Sequence, residues 1–125
     1  MSTRAQEPEI VERTFQFALM IVNLCRQLDR GDGVLRTISR QLIRSGTSVG
    51  ANVTEAQAGH SRADFIAKMS IALKESRETL YWLRIIERSY ATIPTSKELQ
   101  EADELSRILG AIVRNARRNG RGDSS

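Results

Sequence analysis

Residues 35–56 read LRTISRQLIRSGTSVGANVTEA, and this stretch decides the fold class. Within it, apolar and small side chains recur at alternating steps of three and four residues, which is the spacing of one helix face. These positions are Leu35, Ile38, Leu42, Ser45, Val49, Asn52 and Ala56. The pattern continues through both glycines of the stretch, so the sequence predicts one helix over about residues 34–58.

The segment GTSVG, residues 46–50, also matches the Gly-x-Ser-x-Gly elbow of serine hydrolases. That elbow places its serine on a sharp turn between a strand and a helix, whereas Ser48 lies inside a helical repeat. A triad needs a histidine oriented by an acid, and His60 follows Ser48 with no aspartate between them. Glu55 could in principle act as that acid, but this chain supplies no strands for the hydrolase sheet. We therefore expect no catalytic residue and no enzymatic activity.

Glycine inside a helix needs a physical reason, because each one costs about 1 kcal/mol relative to alanine. Gly46 and Gly50 are four residues apart and lie on one side of the predicted helix. We expect a neighbouring helix, in the same subunit or another, to approach closely there. A kink or a short break at this point is the alternative.

Asn52 falls on the predicted core face, where an unpaired amide would cost about 1–3 kcal/mol. We therefore expect Asn52 to be hydrogen-bonded, either to Glu55 or to a neighbouring helix. The two residues are interpreted as a structural polar contact rather than as a ligand site.

Three further segments show the helical period, over about residues 8–28, 61–89 and 95–119. Ser61 is a predicted N-cap, and Thr95 with Glu98 forms a capping box after Pro94. Residues 120–125 are polar and contain glycine, so they are expected to form a disordered tail. Four helices with short connections predict an all-α fold, an antiparallel up-down-up-down four-helix bundle that forms a single domain over residues 1–125.

Composition excludes several classes of protein. The single cysteine, Cys25, lies in an apolar run and is expected to be a buried thiol, so neither a disulfide nor a metal site is predicted. No sequence motif predicts a cofactor. The longest apolar run, residues 18–22, is too short to cross a membrane, and the N-terminus does not resemble a signal peptide. A cytoplasmic location without membrane contact is therefore expected.

The chain carries a net charge of +4, with its arginines concentrated in two places. Arg36, Arg40 and Arg44 are spaced four apart on the second helix, and Arg114, Arg117 and Arg118 lie near the end of the fourth. Two interpretations explain these arginines equally well. They form a surface that binds the phosphates of RNA or DNA, or they form a solvated helix face that interacts favourably with the helix dipole. Few aromatic residues could stack on bases, so we expect salt-sensitive binding to the backbone of RNA or DNA if these residues bind phosphate.

Apolar residues also lie off the main stripe of the third helix: Ile71, Tyr81, Trp82 and Ile85. A helix that is apolar around most of its circumference needs a second partner surface, and aromatic side chains are favoured at such interfaces. We predict a homo-oligomer that uses this helix.

The motifs RSGTSVGANVTEA and SRADFIAKMSIALKESRETLYWL resemble a family of small bacterial four-helix-bundle proteins. These proteins are encoded in intervening sequences of large-subunit ribosomal RNA genes. The family is also similar to the accessory proteins of diversity-generating retroelements. The resemblance implies a homopentamer with a basic surface. For the retroelement accessories it further implies partners that include RNA or DNA and a reverse transcriptase.

Two hypotheses for the function follow. The first is a non-enzymatic oligomeric protein that binds nucleic acid as an accessory factor. The second is a scaffold for another protein, in which the basic face serves only solubility.

Overall fold

The computed structural model describes residues 8–123, with side chains for residues 8–120, and contains four α-helices. They are α1 (Glu9–Leu28), α2 (Gly33–Gln57), α3 (Arg62–Ser89) and α4 (Ser96–Asp123). All four predicted helices are confirmed, and the described residues contain no strand.

The fourth helix extends further than expected. It continues to Asp123, so the disordered tail predicted for 120–125 is wrong for residues 120–123; residues 124 and 125 lie outside the described part. No proline follows Pro94, and isolated glycines cost a helix only about 1 kcal/mol each.

Side chains fix the beginnings of α2 and α3. The Asp32 carboxylate accepts a hydrogen bond from the Leu35 amide at 2.8 Å, which starts α2 at Gly33, one residue earlier than predicted. The Ser61 hydroxyl accepts one from the Asp64 amide at 3.1 Å, so the predicted cap of α3 is confirmed. Each of these caps satisfies an amide that the helix itself leaves unpaired.

Contacts between successive helices run in opposite residue order, so sequence neighbours are antiparallel. The pairs that establish this order are Thr14–Gly50, Ile21–Gly46 and Cys25–Ser39 for α1 and α2, Lys68–Glu55, Thr79–Ser45 and Tyr90–Asp32 for α2 and α3, and Ser70–Arg117 and Ser76–Ser106 for α3 and α4. A contact between α1 and α4 completes the ring of four. The arrangement is therefore an up-down-up-down four-helix bundle.

The core lies along the bundle axis and takes side chains from all four helices. On α2 the predicted stripe is largely confirmed, because Leu42, Ser45 and Val49 are fully buried. Ile38 and Asn52 are only half-buried, and Val53, which was not on the predicted stripe, is fully buried beside Asn52. Full burial stabilises each of these leucine and valine side chains by about 1.5–3 kcal/mol. Cys25 is also buried, as predicted, and burial raises the pKa of its thiol.

The two glycines of α2 allow α1 to approach. A Cβ added at Gly46 would lie 2.8 Å from the Ile21 side chain, and one added at Gly50 would lie 3.0 Å from the Thr14 carbonyl oxygen. The helix continues unbroken through both positions. Close packing is thus confirmed over a kink, and the close contact is within one subunit.

Candidate nucleic-acid interface

Arginines from two helices line one groove on the outer side of the α3–α4 pair. Arg77 of α3 faces Arg107 and Arg114 of α4 across a groove of about 540 Å³. Beneath it, the hydroxyls of Ser76 and Ser106 are hydrogen-bonded at 2.9 Å, which aligns the two helices at this level. The rest of the lining comprises Leu80, Asp103, Ser106 and Gly110.

Further arginines extend this groove in both directions along the bundle. Arg84 and Arg88 follow Arg77 by seven and eleven residues, a spacing that keeps them on one face of α3. Arg118 follows Arg107 by eleven residues on α4. Since the helices are antiparallel, the two runs point in opposite directions, each about 16 Å long. We call the full set the α3–α4 basic face: Arg77, Arg84, Arg88, Arg107, Arg114, Arg117 and Arg118.

Few acids neutralise this face. Asp103 forms an ion pair with Arg107 at 3.0 Å, and both side chains are exposed. Glu87 is the other acid on this side. Seven arginines against these two acids exceed the net +4 of the whole chain, so the remainder of the protein is slightly acidic. Charge of one sign collected on one surface raises the local concentration of polyanions.

The sequence identified only part of the α3–α4 basic face. Arg114, Arg117 and Arg118 were predicted and belong to it; all three are exposed, and Arg117 donates to the Ser70 hydroxyl at 3.4 Å. Sequence reasoning missed the four remaining arginines. For α3, the seven- and eleven-residue spacing after Arg77 is the signal that could have revealed them.

The predicted arginine row of α2 does not join this surface. Arg44 lies level with Glu75 and Glu78 of α3, so Arg36 lies about 12 Å further towards one end of the bundle. Arg117 lies level with Ser70, towards the other end, and α2 and α4 lie diagonally across the bundle rather than side by side. The two predicted sets therefore do not form a single surface.

Two members of the α2 row are already engaged within the chain. Arg36 donates to the Gly31 carbonyl at 2.8 Å. Arg44 forms ion pairs with Glu75, at 3.4 Å, and with Glu78. Arg40 is exposed beside α1. Arg44 is thus a poor candidate for a phosphate ligand, because its charge is neutralised by carboxylates.

Trp82 is tied to the same ion-pair network. Its indole N–H donates to the Glu78 carboxylate at 3.2 Å. Burial acts to raise the pKa of Glu78, but hydrogen bonds from Trp82 and Arg44 outweigh it and hold that pKa below its ordinary value. The neighbouring Glu75 keeps one buried carboxylate oxygen, Oε1, without a hydrogen bond among the described residues.

The residues predicted as an oligomer interface occupy the outer surface of α3. Ile71 is 41% exposed and Tyr81 60% exposed, while Trp82 and Ile85 are half-buried. The Tyr81 and Trp82 rings meet edge to face, with centroids 5.5 Å apart. By helical position, Ile71, Trp82 and Ile85 lie on the side of α3 towards α2, whereas Tyr81 lies between Arg77 and Arg84 on the α3–α4 basic face.

A second group of exposed apolar side chains lies across α1 and α2. Phe15 and Leu19 are 55% and 43% exposed, and Ile43 of α2 is 37% exposed. Val22 shares a groove with Ile43. We call Phe15, Leu19, Val22 and Ile43 the α1–α2 apolar patch.

The polar residues singled out on α2 have local partners. The Asn52 amide donates to the Ser48 carbonyl at 2.9 Å, not to Glu55 or to another helix as expected. Glu55 instead pairs with Lys68 at 3.3 Å. Ser48 is helical, and its hydroxyl donates to the Arg44 carbonyl at 2.7 Å. No elbow is present at Ser48, so the geometry that would activate this serine is missing.

Comparison with known proteins places the chain in a family. The model of the 23S rRNA-intervening sequence proteins matches residues 6–111. The chain belongs to this family. The resemblance noted from the motifs of α2 and α3 is thereby confirmed.

Among solved structures, this intervening-sequence protein is similar to one from Bacteroides thetaiotaomicron VPI-5482. That protein is described as one of unknown function from the S23 ribosomal protein family. The two are 37% identical with a TM-score of 0.75, over 83% of this chain and 97% of that one. No functionally curated protein matches the chain significantly.

Two features are absent from the described residues, a membrane-spanning helix and a metal-binding cluster. None of the four helices has a stretch apolar enough, over sufficient length, to cross a membrane. Nor does this part of the intervening-sequence protein contain a group of three or more histidine, cysteine, aspartate or glutamate residues arranged to hold a metal ion.

Proposed function

We propose that this protein is a non-enzymatic, oligomeric nucleic-acid-binding protein that acts as an accessory factor. The observation that carries the proposal is the α3–α4 basic face, with the shared groove of Arg77, Arg107 and Arg114 at its centre. A reverse transcriptase or another enzyme of nucleic-acid metabolism is the kind of protein it would assist.

Arginine suits this role because its planar guanidinium can donate two parallel hydrogen bonds to a phosphate. Within the described residues, Arg77 and Arg114 form no ion pair, so their charge is free to act on a ligand. Binding of this kind releases counterions from the nucleic acid and therefore weakens as salt is added.

Assembly would strengthen the binding. Two different apolar surfaces remain exposed, the α2 side of α3 and the α1–α2 apolar patch. In our proposal, α3 of one copy covers the patch of the next, which is a heterologous contact of the type that closes into rings. A pentamer, as the family resemblance implies, would present five basic faces and add their weak contacts through avidity.

The experiment compares two triple variants that each remove three positive charges. Arg77→Gln/Arg107→Gln/Arg114→Gln alters the groove, and Arg30→Gln/Arg36→Gln/Arg40→Gln alters exposed arginines elsewhere. Fluorescence anisotropy with labelled mixed-sequence RNA and DNA gives the affinities at one fixed salt concentration. The groove variant should bind about tenfold more weakly or worse, and the control should bind nearly as the wild type. Equal losses in both variants, or no binding by the wild type, would reject the proposal.

The α1–α2 apolar patch favours a second candidate, a scaffold for another protein. Three of its four apolar side chains are exposed and the fourth, Val22, is half-buried. Grouped apolar side chains of this kind mark interaction sites. Recovery of one protein partner that persists after nuclease treatment, and is lost in Phe15→Ser/Leu19→Ser, would favour this candidate.

A further inference from the structure

A shallow pocket lies on α3, where the α3–α4 basic face meets the apolar side of the helix. It has a volume of about 360 Å³ and is lined by Tyr81, Arg84, Ile85, Arg88 and Ser89. That volume is at the lower end for small-ligand pockets, about 300–1,000 Å³. The pocket therefore suits a single planar group better than a large ligand.

The lining offers the groups that bind a nucleotide, an aromatic ring for the base and arginines for the phosphate. The Tyr81 ring is 60% exposed, and its contact with Trp82 is made edge to face, at 5.5 Å. The exposed ring can therefore accept a stacked base, while Ile85 adds apolar surface. Arg84 and Arg88 form no ion pair among the described residues, and each can hold a phosphate that flanks the base.

The nearby acids leave this cationic character intact. Glu78, three residues before Tyr81, is held by Arg44 and Trp82 on the α2 side. Glu87 is exposed and, by helical position, lies on the side of α3 towards α4. Neither acid is part of the pocket lining.

The position of the pocket along the bundle indicates the form of the nucleic acid. Tyr81 lies between Arg77 and Arg84, in line with the track of arginines that runs about 33 Å along the α3–α4 pair. An exposed aromatic within a cationic track is the arrangement that proteins use for single strands, whose bases are free to stack. In a duplex the bases already stack on each other and are not available to a surface tyrosine.

We infer that this pocket binds one base of single-stranded RNA or DNA by stacking on Tyr81, with Arg84 and Arg88 on the adjoining phosphates. The inference rests on the proposed function and narrows its ligand to single strands. It also assigns Tyr81 and Ile85 to the ligand surface rather than to the oligomer interface, and leaves Ile71 and Trp82 to that interface.

An oligonucleotide without bases separates stacking from charge. We would titrate the full-length protein with single-stranded dT10 and with a ten-unit abasic strand of the same phosphate count. Trp82, the only tryptophan, reports on Tyr81 through its fluorescence. The wild type should bind dT10 about 5- to 150-fold more tightly than the abasic strand, the range expected for one stacked base. In Tyr81→Ala this ratio should fall close to one, and Tyr81→Phe should restore it.

Two measurements complete the design. Light scattering checks that the Tyr81 variants keep the wild-type mass, and Arg84→Gln/Arg88→Gln tests the pocket without changing an aromatic side chain. That double variant should lose affinity for dT10 and for the abasic strand alike. A wild type that binds both strands equally, or a Tyr81→Ala variant that still prefers dT10, overturns the inference. If binding in that case still depends on the arginines of the groove, the proposed function survives. A wild type that binds no nucleic acid overturns both.

Discussion

Thr14 of α1 and Gly50 of α2 bring the backbones of two helices into direct contact. A Cβ added at Gly50 would lie 3.0 Å from the carbonyl oxygen of Thr14 and 3.1 Å from its carbonyl carbon. The small residues that imitate a hydrolase motif in the sequence are therefore explained by helix packing, because only a glycine allows this approach without displacing α1.

Gly50→Ala should accordingly destabilise the protein by about 1–3 kcal/mol, since a backbone carbonyl cannot move aside as a side chain can. Gly110→Ala is the matched control in another helix. Its Cβ would meet the flexible end of Arg114 at 3.3 Å and the Leu73 side chain at 4.0 Å. Alanine at position 110 should stabilise α4 by up to about 1 kcal/mol. Urea unfolding followed by circular dichroism gives both values, and a Gly50→Ala variant as stable as the wild type would refute the packing explanation.

Much of this fold could be predicted because its signals are local. The core face of α2 and the cap at Ser61 depend on residues within one or two turns of each other, so they can be read directly from the sequence. The end of α4 could not, because residues 120–123 look like a tail while the helix continues through them. The tail prediction weighed glycine and polarity too heavily against helix propagation.

The ion pair between Arg44 and Glu78 makes stability depend on pH. The folded-state pKa of Glu78 is lower than its ordinary value of 4.5. Its stabilising contribution should therefore be complete above about pH 4.5 and be lost as the pH falls below that value, through the lower pKa of the folded state. Glu78→Gln should remove this dependence. Both partners are partly exposed, so the difference at neutral pH should not exceed about 1 kcal/mol.

Thermal unfolding from pH 7 to pH 3, followed by Trp82 fluorescence, measures the effect. Glu87→Gln is the control, because Glu87 is exposed and forms no ion pair among the described residues. If both variants change the pH dependence of the unfolding temperature equally, the assignment of that dependence to the Glu78 ion pair is incorrect.

Arg13 links α1 to α4, the pair of neighbouring helices with the least mutual contact. It donates two hydrogen bonds to Glu101, at 2.8 and 2.9 Å, and lies 3.5 Å from Glu104. Arg13→Met should cost about 1–2 kcal/mol, because it leaves a half-buried carboxylate unpaired. Amide hydrogen exchange should rise mainly in α1 and α4.

Arg107→Met is the control for that experiment. Its pair with Asp103 is highly exposed and lies within one helix, so its loss should change the stability by no more than about 0.5 kcal/mol. An effect as large as that of Arg13→Met would show that the link between α1 and α4 has no special role.

The proposed assembly predicts a mass well above the 14.0 kDa of one chain. Ile71→Arg should reduce the assembly to monomers, because a charge would be buried at the interface without a partner. Val34→Arg should leave the mass unchanged, since Val34 is 66% exposed at the start of α2 and lies outside both apolar surfaces. Light scattering at micromolar concentration measures the mass of each variant, and a wild-type monomer would contradict the proposal.

The candidate site was less predictable than the fold because it depends on which helix faces meet. Arg44 looked like a free cation on α2, but packing sets it against two carboxylates of α3. Arg77 and Arg107 are thirty residues apart, and only the antiparallel pairing of α3 and α4 brings them to one groove. Helical spacing within one segment does not contain that information.

The central claim, that the α3–α4 basic face binds nucleic-acid phosphates, is tested most directly by the salt dependence of the binding constant. We predict a steep fall in the logarithm of the affinity of the wild type against the logarithm of the salt concentration. Replacing Arg77, Arg107 and Arg114 with glutamine should reduce that slope by about 2 to 3, as expected for three lost phosphate contacts. Replacing Arg30, Arg36 and Arg40 should leave it unchanged. A slope that is the same in the wild type and the groove variant would contradict the account.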